Sequence, residues 1–183
     1  MKQTLVLAFS FLAFLTNLPS AFSDNAPTPV LDVMNNTVET DRQYYIIPSI
    51  RGPPDFSEVF RGRSVKFTTG GDSTVVLTGQ NLVIEFVNKP ECAESGKWEV
   101  ILDFKFPVPY VGISAQQRVV SGSFQIQKYR FGVGYKLVFC RDGGETCLNI
   151  GRFDAKNGED GTRLRLDDPD PFDVVFVEAF EDK

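Results

Sequence analysis

The sequence predicts an all-β domain, on three observations. No segment holds the helical spacing of apolar residues over more than a turn or two. Short alternating runs recur at intervals of about ten residues with turn signals between them, as in sandwiches and barrels. The 183 residues also include 17 Phe, a supply of large apolar side chains that fits a closed, aromatic-filled interior.

Residues 1–23 stand apart from this pattern. Lys2 gives a positive start, residues 5–15 are apolar apart from Ser10, and Ala21-Phe22-Ser23 offers small residues for cleavage. The run is too short for a comfortable membrane span and is expected to be a signal peptide. Residues 24–183 are then expected to form one domain with a single core. Loss of Lys2 makes the net charge of −5 one unit more negative. An acidic chain with no basic cluster is a poor match for nucleic acid or an anionic membrane. There is no His, which removes the usual neutral-pH base and the commonest metal ligand. Carboxylates alone would have to carry any enzymatic chemistry, so no enzyme, metal or cofactor is expected.

In chain order, Val30-Leu31-Asp32 opens the first element, and Asn35-Asn36-Thr37 is a glycosylation sequon with Asn35 as acceptor. Tyr44-Tyr45-Ile46-Ile47 is rich in β-formers. Val65-Lys66-Phe67 alternates, and the polar, Gly-rich residues 68–74 (TTGGDST) read as an exposed loop. Val75-Val76-Leu77 and residues 82–86 (LVIEF) follow as strands around a turn at residues 78–81. Residues 97–102 (KWEVIL) form another, with Trp98 directed to the core. Pro107 and Pro109 mark a loop before Val119-Val120. The turn at residues 167–171 (DDPDP) groups carboxylates, but its prolines favour a solvated turn over a metal site. Val174-Val175-Phe176-Val177 closes the chain. Inward positions are expected at Ile46, Phe86, Ile101, Phe124, Leu137 and Phe176.

The most informative stretch is residues 121–154. Phe124 and Ile126 alternate with Gln125 and Gln127, Gly132-Val133-Gly134 offers a turn, and Tyr135, Leu137 and Phe139 continue on a second strand. Cys140 and Cys147 bracket a loop containing Gly143-Gly144, short enough for a disulfide to staple. Three Cys in an exported chain leave one over. Cys92, after Pro90-Glu91 and before polar residues, is the odd one and is expected in a loop as a free thiol.

Tyr135-Lys136-Leu137-Val138-Phe139-Cys140, the short loop to Cys147, and the Arg-Leu-x-Leu strand of residues 163–166 resemble the C-terminal half of the plant Kunitz-type (soybean trypsin inhibitor) protease inhibitor family. Val30-Leu31-Asp32 followed by Tyr44-Tyr45-Ile46 resembles its N-terminal signature. The resemblance implies a β-trefoil: twelve strands in three-fold pseudosymmetry, six forming a barrel and the rest a hairpin cap. It also implies inhibition through a protruding, substrate-like loop held near its bound geometry. The protease is expected to be of serine type, with cysteine or aspartic types as alternatives, and the inhibitor monomeric and secreted to the vacuole or cell exterior.

A gap-free match puts the residue that fills the protease's specificity pocket at Asp72, followed by Ser73 and Thr74 and preceded by Gly71. Trypsin-directed members carry Arg or Lys there, so Asp72 predicts poor trypsin binding, and Gly70-Gly71 a looser loop. The Asn that braces the family's loop is matched by Thr40. The family's Cys-Pro-Leu strand has no counterpart in residues 48–61, so one strand-turn segment of the first repeat is expected to be missing. With it goes the usual partner of the Cys matched by Cys92. The alternative is a non-inhibitory trefoil, a storage or defence protein or a carrier of a small ligand, which an aromatic-lined concave pocket would favour.

Overall fold

A computed structural model describes residues 26–49, 62–104, 106, 108–113, 118–129, 134–144, 146–154, 162–166 and 169–180. The described residues form eleven strands and no helix: β1 Tyr44–Pro48, β2 Val65–Thr69, β3 Leu82–Phe86, β4 Trp98–Leu102, β5 Tyr110–Ile113, β6 Arg118–Val120, β7 Gly122–Lys128, β8 Tyr135–Arg141, β9 Cys147–Asp154, β10 Thr162–Leu166 and β11 Asp173–Glu178. All pairings between them are antiparallel.

Neighbouring strands β11, β1, β2, β3, β7 and β8 form a closed ring, because β11 pairs with β1 on one side and with β8 on the other. Each ring strand sends alternate side chains inward, as the two-residue period demands. The inward row is Tyr44, Val65, Phe67, Leu82, Ile84, Phe124, Ile126, Leu137, Phe139, Val174 and Phe176, all buried. Aromatic rings run through it: Phe67 meets Phe176 edge-on at 5.6 Å, Tyr135 lies 5.7 Å from Phe176, and Phe124 meets Phe139 edge-on at 5.1 Å. Of the expected inward residues, Phe124, Leu137 and Phe176 are buried in the core cluster, and Ile46 and Phe86 are partly buried against it; Ile101 is buried outside the cluster, against Gly112 of β5, and its neighbour Val100 takes the core position. Trp98 also packs there, between Phe86 and Phe124.

The β7–β8 hairpin has the expected register, from Gly122 opposite Arg141 to Lys128 opposite Tyr135. Its expected turn at Gly132-Val133 lies outside the described residues, as do residues 50–61, where the missing segment was expected, and the signal peptide. Among the described residues, β1 and β2 share one register pair, Tyr44 with Val65. Val75-Val76-Leu77 and Val30-Leu31-Asp32 are tied by isolated bridges in place of extended strands. β5 was not foreseen: Gly112 interrupts its alternation. A Cβ at Gly112 would sit 2.6 Å from Cδ1 of Ile101, so glycine lets β5 lie against that buried side chain.

Cys140 and Cys147 face each other across β8 and β9 and are joined by a disulfide, with Cα atoms 4.1 Å apart. Gly143, at φ 71°, turns the chain back between them. A closed loop of this length contributes about 2–3 kcal/mol on the chain-entropy account. Cys92 is exposed and unbonded, in a turn where the Ala93 N–H donates to the Pro90 carbonyl at 3.0 Å.

Two outcomes follow for stability and thiol chemistry. Phe176 is fully buried at the closure of the ring, and Phe176→Ala is expected to lower unfolding free energy by about 3–5 kcal/mol in urea titration. Thiol titration of the denatured, unreduced protein is expected to give one thiol per chain. A value of zero or three would contradict the observed pairing.

Candidate functional site

Residues 70–74 emerge from the end of β2. Gly70, Gly71, Asp72, Ser73 and Thr74 are all exposed, whereas Val75 is half-buried and Val76 fully buried. The matched residues therefore fall together on one projecting turn. Neither Gly70 nor Gly71 has a positive φ, and a Cβ at either would meet nothing within 4 Å. The glycine pair is thus not required by the backbone path.

The turn is ordered from within by hydroxyls. Thr69 Oγ1 donates to the carbonyls of Gly71, at 3.3 Å, and Ser73, at 3.4 Å. Ser73 Oγ accepts the Val75 N–H at 3.2 Å and donates to the Val75 carbonyl at 3.1 Å. These contacts fold the turn over its own stem.

The far side of the stem is pinned by the N-terminal segment. The Thr40 N–H donates to the Thr74 carbonyl at 2.8 Å, and the Val76 N–H donates to the Val38 carbonyl at 2.9 Å. The Val30 N–H donates to the Val76 carbonyl at 2.9 Å, the Val38 N–H to the Val30 carbonyl at 2.8 Å, and the Thr78 N–H to the Thr28 carbonyl at 2.8 Å. Val30, Val38 and Val76 are each fully buried, so water does not compete for the bonds among these three. Thr40 therefore braces the turn through its main chain, where the resemblance implies a side-chain brace from Asn. Sequence patterning does not report such backbone pairing between distant segments.

A second tier holds the brace. The Glu39 N–H donates to the Tyr44 hydroxyl at 2.9 Å. Burial pushes the Tyr44 phenol above its ordinary pKa. Arg42 links Glu39, at 2.8 Å, to Glu178 of β11, at 2.9 Å. Its hydrogen bond to Glu178 is the main reason its pKa lies above the ordinary value. The pair is solvent-exposed and serves to orient the segment more than to stabilise it.

Asn35 stands exposed at the tip of the turn at residues 32–36, with φ 63°. The turn is built on the buried Asp32 carboxylate: one oxygen accepts the N–H groups of Met34 and Asn36 at 2.8 Å each, the other the Asn36 amide at 3.3 Å. A separate cleft of about 490 Å³ is lined by Arg152, Arg165, Asp170, Pro171, Phe172 and Asp173. Four of its six lining residues are charged and one, Phe172, is aromatic, unlike the aromatic-lined pocket expected of a small-ligand carrier.

Comparison with known proteins assigns this arrangement. Residues 53–178 match the family model described as trypsin and protease inhibitor of the legume Kunitz type. A Kunitz-type trypsin inhibitor-like protein of Pisum sativum is 40% identical over 96% of this chain and 92% of its own length. A subtilisin inhibitor of Canavalia lineata is 38% identical over 82% of this chain and 92% of its own. The crystal structure of a Kunitz type trypsin inhibitor from Cicer arietinum superposes with a TM-score of 0.74 at 40% identity, covering 83% of this chain and 99% of that one. The closed six-strand ring and its attached hairpins are accordingly a β-trefoil, and the chain belongs to the legume Kunitz family of protease inhibitors.

Proposed function

We propose that this chain is an exported inhibitor of a serine protease, offering residues 70–74 to the enzyme's substrate cleft with Asp72 at the mouth of the specificity pocket. One observation carries the reading: five consecutive exposed residues lie between a strand end and a buried hydrogen-bonded stem. A loop so held loses little conformational entropy on binding. It also keeps its ends in place if the chain is cut, since each remains hydrogen-bonded to the scaffold.

Asp72 favours a pocket with no acid at its base. A trypsin-like pocket holds a buried carboxylate, which would repel the Asp72 carboxylate in a poorly screened site. The 38% identity to a subtilisin inhibitor supports a subtilisin-type target. Export is supported by the apolar leader and by the disulfide, which persists in oxidising compartments. The exposed Asn35 turn suits attachment of a glycan there.

Residual activity of subtilisin and trypsin, titrated against the pure protein, tests the reading. Subtilisin is expected to be titrated at one inhibitor per enzyme and trypsin only weakly. Failure to inhibit any serine protease would overturn this reading. Replacing the repelling charge in Asp72→Arg is expected to raise trypsin affinity by at least about tenfold, some 1.4 kcal/mol. Thr40→Pro removes the N–H that reaches the Thr74 carbonyl. With about 1 kcal/mol lost from the brace, it is expected to weaken subtilisin inhibition roughly fivefold and to hasten cleavage of the loop, read by mass spectrometry.

A further inference from the structure

Two segments of the brace, residues 30–32 and 36–38, are joined by a three-residue turn, Val33-Met34-Asn35. The Val38 N–H donates to the Val30 carbonyl and the Asp32 N–H to the Asn36 carbonyl, at 2.8 Å each, and the Asn35 N–H donates to the Asp32 carbonyl at 3.1 Å. Leu31 and Thr37 face each other in the bridge between them. Asn35 takes the last position of the turn, at φ 63°, where a three-residue hairpin loop needs a left-handed residue. Among the described residues it alone, glycines apart, has a positive φ. Glycine would hold that position at less steric cost, so the backbone by itself does not call for asparagine.

The two asparagines of the turn have different surroundings. The Asn36 amide donates to the buried Asp32 carboxylate at 3.3 Å. The Asn35 side chain is exposed and takes no part in the bonds of the turn. Thr37, two residues on, is half-buried with its hydroxyl 3.4 Å from Glu39 Oε1. Around Asn35 the surface is apolar: Val33 is 49% and Met34 74% exposed, and Leu31, opposite Thr37, is exposed as well. These are three of the eight large apolar residues exposed among those described, gathered within four positions. An apolar side chain exposed singly is ordinary, whereas a group of them asks for a cover.

We infer that Asn35 carries an N-linked glycan whose first N-acetylglucosamine covers Val33 and Met34 and stiffens the hairpin beneath. The inference rests on the export proposed above and is independent of the role given to Asp72. In the transfer, the Asn35 amide nitrogen bonds to C1 of the sugar of a lipid-linked diphospho-oligosaccharide. The C1–O bond to the diphosphate breaks, the lipid diphosphate leaves with its electron pair, and one amide proton passes to the transferring enzyme. Residues 35–37 are the only triplet in the sequence with the asparagine, non-proline and hydroxyl residues that this transfer reads. Tethered at Asn35, the sugar reaches its chain neighbours, laying the C–H face of its ring on them with its hydroxyls in water. A second copy of the chain fits less well, because a narrow turn gives no broad self-complementary face. The effect extends to residues 70–74, since Val76 is hydrogen-bonded to both Val30 and Val38 of this hairpin.

The test expresses the full chain, leader included, in a eukaryotic secretory host, beside Asn35→Gly, Thr37→Ala and Thr37→Ser. Intact mass of the secreted protein is expected to show one glycan, released by peptide-N-glycosidase. Thr37→Ser is expected to keep it, and Asn35→Gly and Thr37→Ala to lack it. Hydrogen exchange of the Val38 and Val76 amides is expected to be roughly fivefold slower in the glycosylated protein than in Asn35→Gly. In protein refolded from bacteria, without glycan, Asn35→Gly and the parent chain are expected to exchange within about twofold of each other, because glycine suits the left-handed turn. That comparison separates the sugar from the backbone. Secretion at the unglycosylated mass would overturn the inference and leave the inhibitor reading standing. A glycan present with exchange equal to that of Asn35→Gly would overturn it too, since the sugar would then stiffen nothing. A chain that is not exported would bring down export and the glycan together. Subtilisin titration of the same samples reads the proposed inhibition separately.

Discussion

Closure of the strand ring through β11 is the constraint on which the rest of the structure depends. β11 pairs with β1 along five residues and with β8 at Asp173 and Val174, so two strands that would otherwise end in open edges are joined. Phe176, at its centre, meets Phe67 from β2 and Tyr135 from β8. One side chain thereby ties three parts of the ring that are far apart in sequence. The same strand reaches outward: the Phe176 carbonyl accepts the Val33 N–H at 3.0 Å, and Glu178 holds Arg42. The N-terminal segment that braces the turn at residues 70–74 is thus anchored to the strand that closes the ring.

The exposed turn at residues 70–74 is separated from the stability of the core. Residues 70–74 are exposed, and their order comes from the Thr69 and Ser73 hydroxyls and from the Thr40 N–H on the Thr74 carbonyl. Val30, Val38 and Val76 form a dry hydrogen-bonded knot under an exposed polar turn. A loop on such a base can change its side chains with little effect on the core, the usual arrangement of binding loops on rigid scaffolds.

The alternating runs made most strands legible, because a strand with one buried face must repeat every two residues. The β7–β8 hairpin and Cys140–Cys147 were readable because their partners are close in sequence, where turn chemistry and a short loop limit the options. β5 was missed because Gly112 serves a tertiary contact with Ile101, and that need leaves no period in the sequence. Val75-Val76-Leu77 read as a strand, yet it is held by isolated bridges to residues 29–39. Which segment a β-run pairs with is decided by the whole sheet.

The sequence by itself determined the all-β class, the inward aromatic rows, the cysteine pairing, and the polar, glycine-rich character of residues 68–74. These are local or compositional properties, written residue by residue. Only the tertiary structure decided that Thr40 braces this loop through its main-chain N–H, and that Phe104, one of 17 Phe, stands outside the core that the others suggested. A backbone donor is the same in nearly every residue, and an apolar side chain carries no mark of which way its turn will face. Both outcomes are set by the long-range pairing that closes the ring, and that pairing is a property of the assembled fold.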